Sequence, residues 1–587
     1  MNLLPFGTLP AYKPRHFVPD AVDLGDWAQI APLFDELERR ATQAATAGDL
    51  ETWLRDWSEL SAALDEESSR RYIAMTCHTD NPDAENAYLH FLENVEPHLK
   101  TRQFALEKIH VTHPARAALA PERYHILDRD ARNRVELFRP ENVPLETEES
   151  RLCQQYQKLS GALTVTFQGR EQTLVQMGRY LEEPDRPLRR EAWELVAARR
   201  LREAEKFDDI FDQQLKLRAR IAQNAGFANY RDHAFRRMGR FDYTPGDCER
   251  FHEAVEGEIM PIVRELHAER RRQLNLESLR PWDLAVDPLD RPPLKPFSDA
   301  SQILTRTQRV FDRLDKELAR EFQAMQDLKL LDLDNRKGKA PGGYQCTLAE
   351  ARLPFIFMNA VGLQRDVETI LHEAGHAFHA MAVRDEDLYA YRTAPIEFCE
   401  VASMSMELLG KEFWNEYYPS NGDGEDANRA RRVHLEGVVG VFPWIATVDA
   451  FQHWLYTHPG HSRQDRCDAW TALMNRFGGE VDWSGLENIR AHLWHRQLHI
   501  FIHPFYYIEY GIAQIGALQV WANAKRDKTK SLADYKGSLA LGGSRSLPEL
   551  FKAAGCAFEF SAQTIRPLAR LLRDELAKAK AETRGVK

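Results

Sequence analysis

The sequence predicts a mainly α-helical protein with a small β-sheet. Apolar residues recur at three- and four-residue spacing, with charged faces between them, through "DWAQIAPLFDELERRATQAAT" and "DLETWLRDWSELSAALDEESSRRYIAM". The same period runs through "PDRPLRREAWELVAARRLREAEKFDDIFDQQLKLRARIAQNAGF", which is long enough for two helices. Strand-like patterns are rare, and the convincing ones fall just before one histidine-rich helix.

Between the early helices, "ALTVTFQGREQTL" mixes β-branched residues with Gly169 and reads as either a short strand pair or an irregular break. "SLRPWDLAVDPLDRPPLKPFSDA" carries Pro281, Pro288, Pro292, Pro293 and Pro296. Proline fixes φ and removes a backbone donor, so this stretch reads as an extended connection. After a further helix comes "LLDLDNRKGKAPGGYQCTLAEARLPFIFMNAVG". Its Gly/Lys turn and the apolar run Pro354–Met358 read as strands bounded by turns. "YYPSNGDGEDANRARR" reads as a polar surface loop, and "RDELAKAKAETRGVK" as a frayed, solvated tail.

A chain of 587 residues exceeds one small core. The expected division is an N-terminal helical region (1–110), a second helical lobe (111–240), a catalytic region (241–575) and a polar tail (576–587). The net charge of −11 and the lack of a basic stripe argue against nucleic acid as a partner. Seven scattered cysteines without a CxxC read as reduced thiols. The start "MNLLPFGTLPAYKPRHF" has no basic segment followed by an apolar one, and no apolar run approaches the ~20 residues that span a bilayer. The expectation is a cytoplasmic protein without a membrane partner. Nothing in the sequence selects between a monomer and a homo-oligomer.

"ETILHEAGHAFHAM" (Glu368–Met381) concentrates the chemistry. On a helix over Asp366–Val383, Val367, Ile370, Leu371, Ala374, Phe378 and Met381 form one apolar stripe. His372 and His376 then lie about 40° apart, roughly opposite that stripe. Two imidazoles one turn apart can share one ion at about 2.0–2.1 Å. Glu373 is offset by about 100°, outside the coordination sphere but beside a metal-activated water, as in HExxH sites. Gly375 reads as space beside the metal. Glu368, one turn before His372, reads as the carboxylate that orients that imidazole.

The third ligand is the open question. A HExxHxxGxxH site needs Gly and His where this chain has His379 and Ala382, so that class is excluded. His379 lies two turns from His372, too far to share an ion readily. "TAPIEFCEVASMSMELLGKEFW" offers Glu397, Glu400 and Glu407 on a second helix, and spacing does not choose among them.

These segments resemble the zinc oligopeptidases of the thimet oligopeptidase / oligoendopeptidase F family, nearest its oligoendopeptidase F branch. "DVETILHEAGHAFH" is similar to that family's extended zinc motif, and "FCEVASMSME" to its second zinc helix. "RKGKAPGGYQCTL" and "LPFIFMN" resemble the Gly-Tyr turn and the edge strand before the site. "TFQGREQTL" and "PDRPLRREAWE" look like the N-terminal region, and "HIFIHPFYYIEYGIAQ" like the His/Tyr segment that closes over substrate. The likeness covers about residues 110–575, the first hundred being least diagnostic.

The resemblance implies one Zn2+ per chain on His372, His376 and Glu400, with Glu373 as general base. It implies His499 and Tyr510 as donors to a developing oxyanion, with Tyr507 beside them and His503 lining the substrate site. It implies substrate contacts at Gly342, Gly343, Tyr344 and Phe355, with an extended oligopeptide added to the edge run Pro354–Met358. Tyr506 and Phe505 read as core residues. The family's fold is two helical lobes around a deep channel that admits short unfolded peptides. Here the His-to-Tyr spacing is one residue shorter than in the thimet-like branch, and Pro504 stands in place of a Gly-rich stretch.

The implied activity is a zinc-dependent endopeptidase acting on oligopeptides. An exopeptidase of the same zinc chemistry and a peptide-binding pseudoenzyme are the alternatives. A membrane-tethered ATP-dependent protease also uses "HEAGHA", but this chain has no GxxxxGK[ST] phosphate loop.

Overall fold

The computed structural model describes residues 3–419 and 424–584. Helices dominate from Trp27–Ala41 (α1) and Ala47–Cys77 (α2) onward. Asp26 caps α1, and Thr46 with Asp49 forms a capping box on α2, so the starts of both helices have their backbone donors satisfied. Of the two readings open for the segment around Gly169, the strand pair is the one found: Thr164–Phe167 (β1) turns through Gln168 and Gly169, both at positive φ, into Arg170–Thr173 (β2). The next periodic segment folds as two helices, Arg186–Leu201 (α3) and Ala204–Asn224 (α4), followed by Pro245–Ala254 (α5). The proline-rich connection is irregular apart from one short turn at Pro281–Asp283.

The three-stranded sheet contains Leu331–Asp334 (β3), Tyr344–Leu348 (β4) and Leu353–Ala360 (β5), in the order β3-β5-β4. β3 runs parallel to β5 and β4 antiparallel to it. β5 is therefore the central strand. The expectation that Pro354–Met358 forms an edge is corrected: its backbone is paired on both sides, and β4 is an edge. A continuous apolar run signals burial on both faces, which is what a central strand has and an edge strand avoids.

β5 leads directly into Gln364–Ala382 (α6), then Ile396–Gly410 (α7), Glu425–Thr457 (α8), Tyr507–Arg526 (α9) and Ala562–Arg584 (α10). Asp366 accepts hydrogen bonds from the backbone N–H of Val361, Gly362 and Leu363, which fixes the β5–α6 corner. The predicted stripe of α6 is buried throughout. α7 packs between α6 and α9. Two glycines set that spacing: a Cβ on Gly375 would meet Ser403 Cα at 2.5 Å, and one on Gly516 would meet Val401 Cγ2 at 2.6 Å. The role expected for Gly375 is thus corrected. It admits the neighbouring helix rather than clearing space beside a metal.

Two further expectations change. Glu425–Arg432, read as loop, begins α8; residues 420–423 of that loop lie outside the described residues. The C-terminal segment is helical to Arg584, with Leu576 and Ala579 buried and Lys580 paired to Glu269, because Leu568, Leu572 and Leu576 continue a helical stripe. Residues 585–587 of the expected tail lie outside the described residues. The largest core joins the sheet to α6–α10, and a second cluster gathers residues of α1, α2 and the next helices with Leu388 and Tyr391. Among the described residues, no helix is long and apolar enough to cross a membrane.

Candidate metal centre and active site

Close packing of α6 on α7 brings His372, His376 and Glu400 together, with one donor atom of each lying within 4.8 Å of the others. His372 Nε2 is 3.4 Å and His376 Nε2 3.8 Å from Glu400 Oε2. Ser403 Oγ donates to the same oxygen at 3.0 Å. Glu397 is occupied elsewhere, accepting from Tyr243 Oη at 2.8 Å. His379 is buried against Phe398 and is not part of the cluster.

The partner of His372 differs from expectation. Its Nδ1 lies 2.7 Å from Glu407 Oε1, and the other oxygen of Glu407 lies 3.1 Å from His434 Nε2. Glu368 instead accepts from Gln364. Glu407 is thus the orienting carboxylate and Glu368 is not. The helical turn puts Glu368 near His372 in sequence, but the ring is turned toward α7. Burial alone would raise the Glu407 pKa; the two imidazoles overcome it and hold it down at about 2.

The electrostatics favour a cation. Burial pushes the His376 pKa down to about 4, which keeps it neutral, the form a metal ligand needs. Burial opposes charge on His372 too, but Glu400 and Glu407 outweigh it and raise its pKa. Two part-exposed imidazoles and a buried carboxylate are a donor set that would hold a divalent ion such as zinc. These residues fit the zinc that the resemblance implies.

Glu373 is buried beside them. Burial lifts its pKa to about 7, against the proton on His372 and a hydrogen bond from the backbone N–H of Gln345. That N–H belongs to β4, so the edge strand faces the HExxH glutamate. Gly342 and Gly343 are exposed at the entry to β4, where Asn359 Nδ2 donates to Gly342 O. Tyr344 turns the other way: its hydroxyl pairs with Thr76 Oγ1 at 2.6 Å and its ring stacks on Phe357. Phe355 is fully buried against Phe6. The substrate contacts expected of these two aromatics are corrected to packing roles.

The His/Tyr segment reaches the same cluster, where Tyr506 and Tyr510 both feel the charge of Glu400. Trp444 Nε1 donates to Gln497 Oε1 at 2.9 Å, which leaves the Gln497 amide nitrogen to donate to His499 Nδ1 at 2.8 Å. His499 therefore carries its proton on Nε2, as a free donor. Burial keeps it neutral, with its pKa near 4. Tyr507 packs edge-on against His499, and its hydroxyl is engaged by Trp444 and Gln497. Tyr510 has its pKa raised to about 12, by burial first and then by the charge of Glu400. Its hydroxyl is paired with that of Tyr506, its neighbour one turn away. Tyr506 is only half-buried and also feels Glu400, which corrects its reading as a core residue. Phe505 is fully buried and His503 exposed.

Sequence reasoning missed Glu407 as a partner, Tyr506 and the Gln345 N–H. The seven-residue spacing of Glu400 and Glu407 was the available signal for the first. The other two depend on chain geometry that periodicity does not carry.

Residues 179–569 match the family described as Peptidase family M3, and residues 22–138 match the Peptidase M3 N-terminal domain. The chain belongs to peptidase family M3. It is similar to oligopeptidase PepF of Bacillus subtilis, 24% identical over 307 residues, or 50% of this chain and 43% of that protein. An oligoendopeptidase F homolog of Borreliella burgdorferi is 21% identical over 299 residues, or 49% of this chain and 48% of that one. The chain thus spans less than half the length of these curated relatives. Among solved structures, Pz peptidase A with an inhibitor superposes with a TM-score of 0.85 at 28% identity, over 97% of this chain and all of that one.

Proposed function

We propose that this protein is a zinc-dependent endopeptidase that hydrolyses short oligopeptides. The observation that carries the reading is the convergence of His372, His376 and Glu400 beside a buried Glu373 whose pKa stands near neutrality. His372, His376 and Glu400 would hold the zinc, with Glu407 fixing the His372 ring. When bound, zinc supplies Lewis acidity, which activates water and polarises a peptide carbonyl.

Glu373 takes the proton from the attacking water and later passes it to the leaving amine. A pKa near the working pH serves both steps. Tyr510 O–H and His499 Nε2–H donate to the oxygen as negative charge develops, with Tyr506 and Gln497 holding these donors in place. The peptide runs along the free edge of β4, past Gly342 and Gly343. Backbone pairing there ignores side-chain identity and suits a peptidase of broad taste.

A mixed peptide library containing species blocked at both ends tests this, read by mass spectrometry with and without a chelator. Internal cleavage of blocked peptides, abolished by the chelator and restored by zinc, is expected. Products from free ends only would make it an exopeptidase. Bound zinc without any cleavage would make it a peptide-binding relative.

A further inference from the structure

A second group of metal-binding side chains lies outside the HExxH cluster. Cys248 and His252 are one turn apart on α5, and Asp449 and His453 are one turn apart on α8. These helices pack together, so the two pairs face each other. One donor atom each of Cys248, Asp449 and His453 lies within 4.8 Å of the others. All are enclosed: Cys248 and Asp449 are 0% exposed, His252 3% and His453 6%.

The hydrogen bonding here is incomplete. His252 Nε2 lies 2.9 Å from Asp449 Oδ2, but Asp449 Oδ1 has no partner. His453 Nε2 stands 3.3 Å from Asp449 Oδ2, the oxygen already taken by His252, and His453 Nδ1 has no hydrogen-bond partner. Leaving a buried carboxylate oxygen and a buried imidazole nitrogen unpaired is costly. One donor atom each of Asp449 and His453 lies close enough to the other to share an ion with Cys248.

We propose that Cys248, Asp449 and His453 form a second, structural zinc site, with His252 holding the Asp449 carboxylate in place. The donor set fits the ion: thiolate, carboxylate and neutral imidazole suit zinc and exclude calcium and magnesium. The charges also balance. One thiolate and one carboxylate neutralise a divalent cation, so the buried cluster carries no net charge. The outer partner His252 is of the kind that orients metal-bound carboxylates elsewhere.

The position gives the site a task. His453 packs edge-on against Phe505 at 5.4 Å, and the adjacent Gln452 accepts the Phe505 N–H at 2.7 Å. Phe505 sits at φ +67°, a strained conformation for a residue with a side chain, immediately before Tyr506. A metal joining α5 to α8 would brace the segment that carries Tyr506 and Tyr510. The proposal does not rest on peptidase activity.

The test is metal analysis and zinc X-ray absorption on the full-length chain, purified without chelator and supplied with zinc alone. Two equivalents per chain are expected, one with a sulfur neighbour at about 2.3 Å. Glu400→Gln, which removes a ligand from the HExxH cluster, should keep the sulfur-bound equivalent. Cys248→Ser should lose it. A wild-type chain with one zinc and no sulfur neighbour would overturn the proposal, as would a sulfur signal that survives Cys248→Ser. The wild-type spectrum decides even if the Cys248 variant does not fold.

Discussion

The two clusters use the same device with opposite exposure. In each, donors one turn apart on a helix meet a donor from a facing helix: His372 and His376 against Glu400, Asp449 and His453 against Cys248. The histidines of the first remain part-exposed, and a glutamate, two tyrosines and a strand edge stand around it. The second is sealed, with a core phenylalanine beside it. An open metal position permits chemistry on a substrate, whereas a closed one can only hold helices together. Position in the fold, rather than ligand type alone, separates a reactive site from a brace.

Breaking the open site should have the largest effect. Glu400→Gln is expected to abolish peptide cleavage and lower the zinc content by one equivalent, both measured on the same preparation. Full activity in that variant would remove Glu400 from the ligand set.

Next in size is the tyrosine wall. Tyr510→Phe should lower kcat about 10²–10³-fold, the usual cost of losing one oxyanion donor, with little change in KM. Tyr506→Phe should cost less, since it acts through Tyr510, and Tyr507→Phe least. Steady-state kinetics on one blocked peptide would rank them, and an unaffected Tyr510 variant would assign the donor elsewhere.

Smaller again is the orienting carboxylate. Glu407→Gln should cost about 10–100-fold in zinc affinity or activity, while Glu368→Gln should stay near wild type. The reverse order, by zinc titration, would restore Glu368 to the role the sequence suggested.

The smallest effect concerns a buried lysine outside both clusters. Lys411 Nζ makes no hydrogen bond and lies 3.7 Å from the Trp521 ring centre. Burial pushes its pKa from 10.5 down to about 7. Between those pH values the unfolded chain binds a proton that the folded chain does not, so this group makes stability rise as pH increases. Its cost is fully present below pH 7. Lys411→Met should therefore raise the melting temperature most at neutral pH and below, with the gain fading toward pH 10.5. A gain independent of pH would show that the charge is not the cause.

The helical class and the buried face of α6 were legible because each rests on local period, while at Gly169 turn chemistry alone left a strand pair and an irregular break open. The direction of the His372 ring was not, because it depends on how α6 meets α7. The same limit affected Pro354–Met358: an apolar run announces a buried strand but not whether its neighbours pair on one side or both. Gly375 shows the reverse case, a residue singled out correctly for a reason that only packing explains. Cys248 and His453 lie about 200 residues apart in sequence, and only the α5–α8 contact joins them.

The most direct test of the central claim is zinc content and turnover measured together in Glu373→Gln. Wild-type zinc with activity down about 10²–10⁴-fold, the contribution of a general base, is expected. A zinc-loaded variant with wild-type turnover would contradict it.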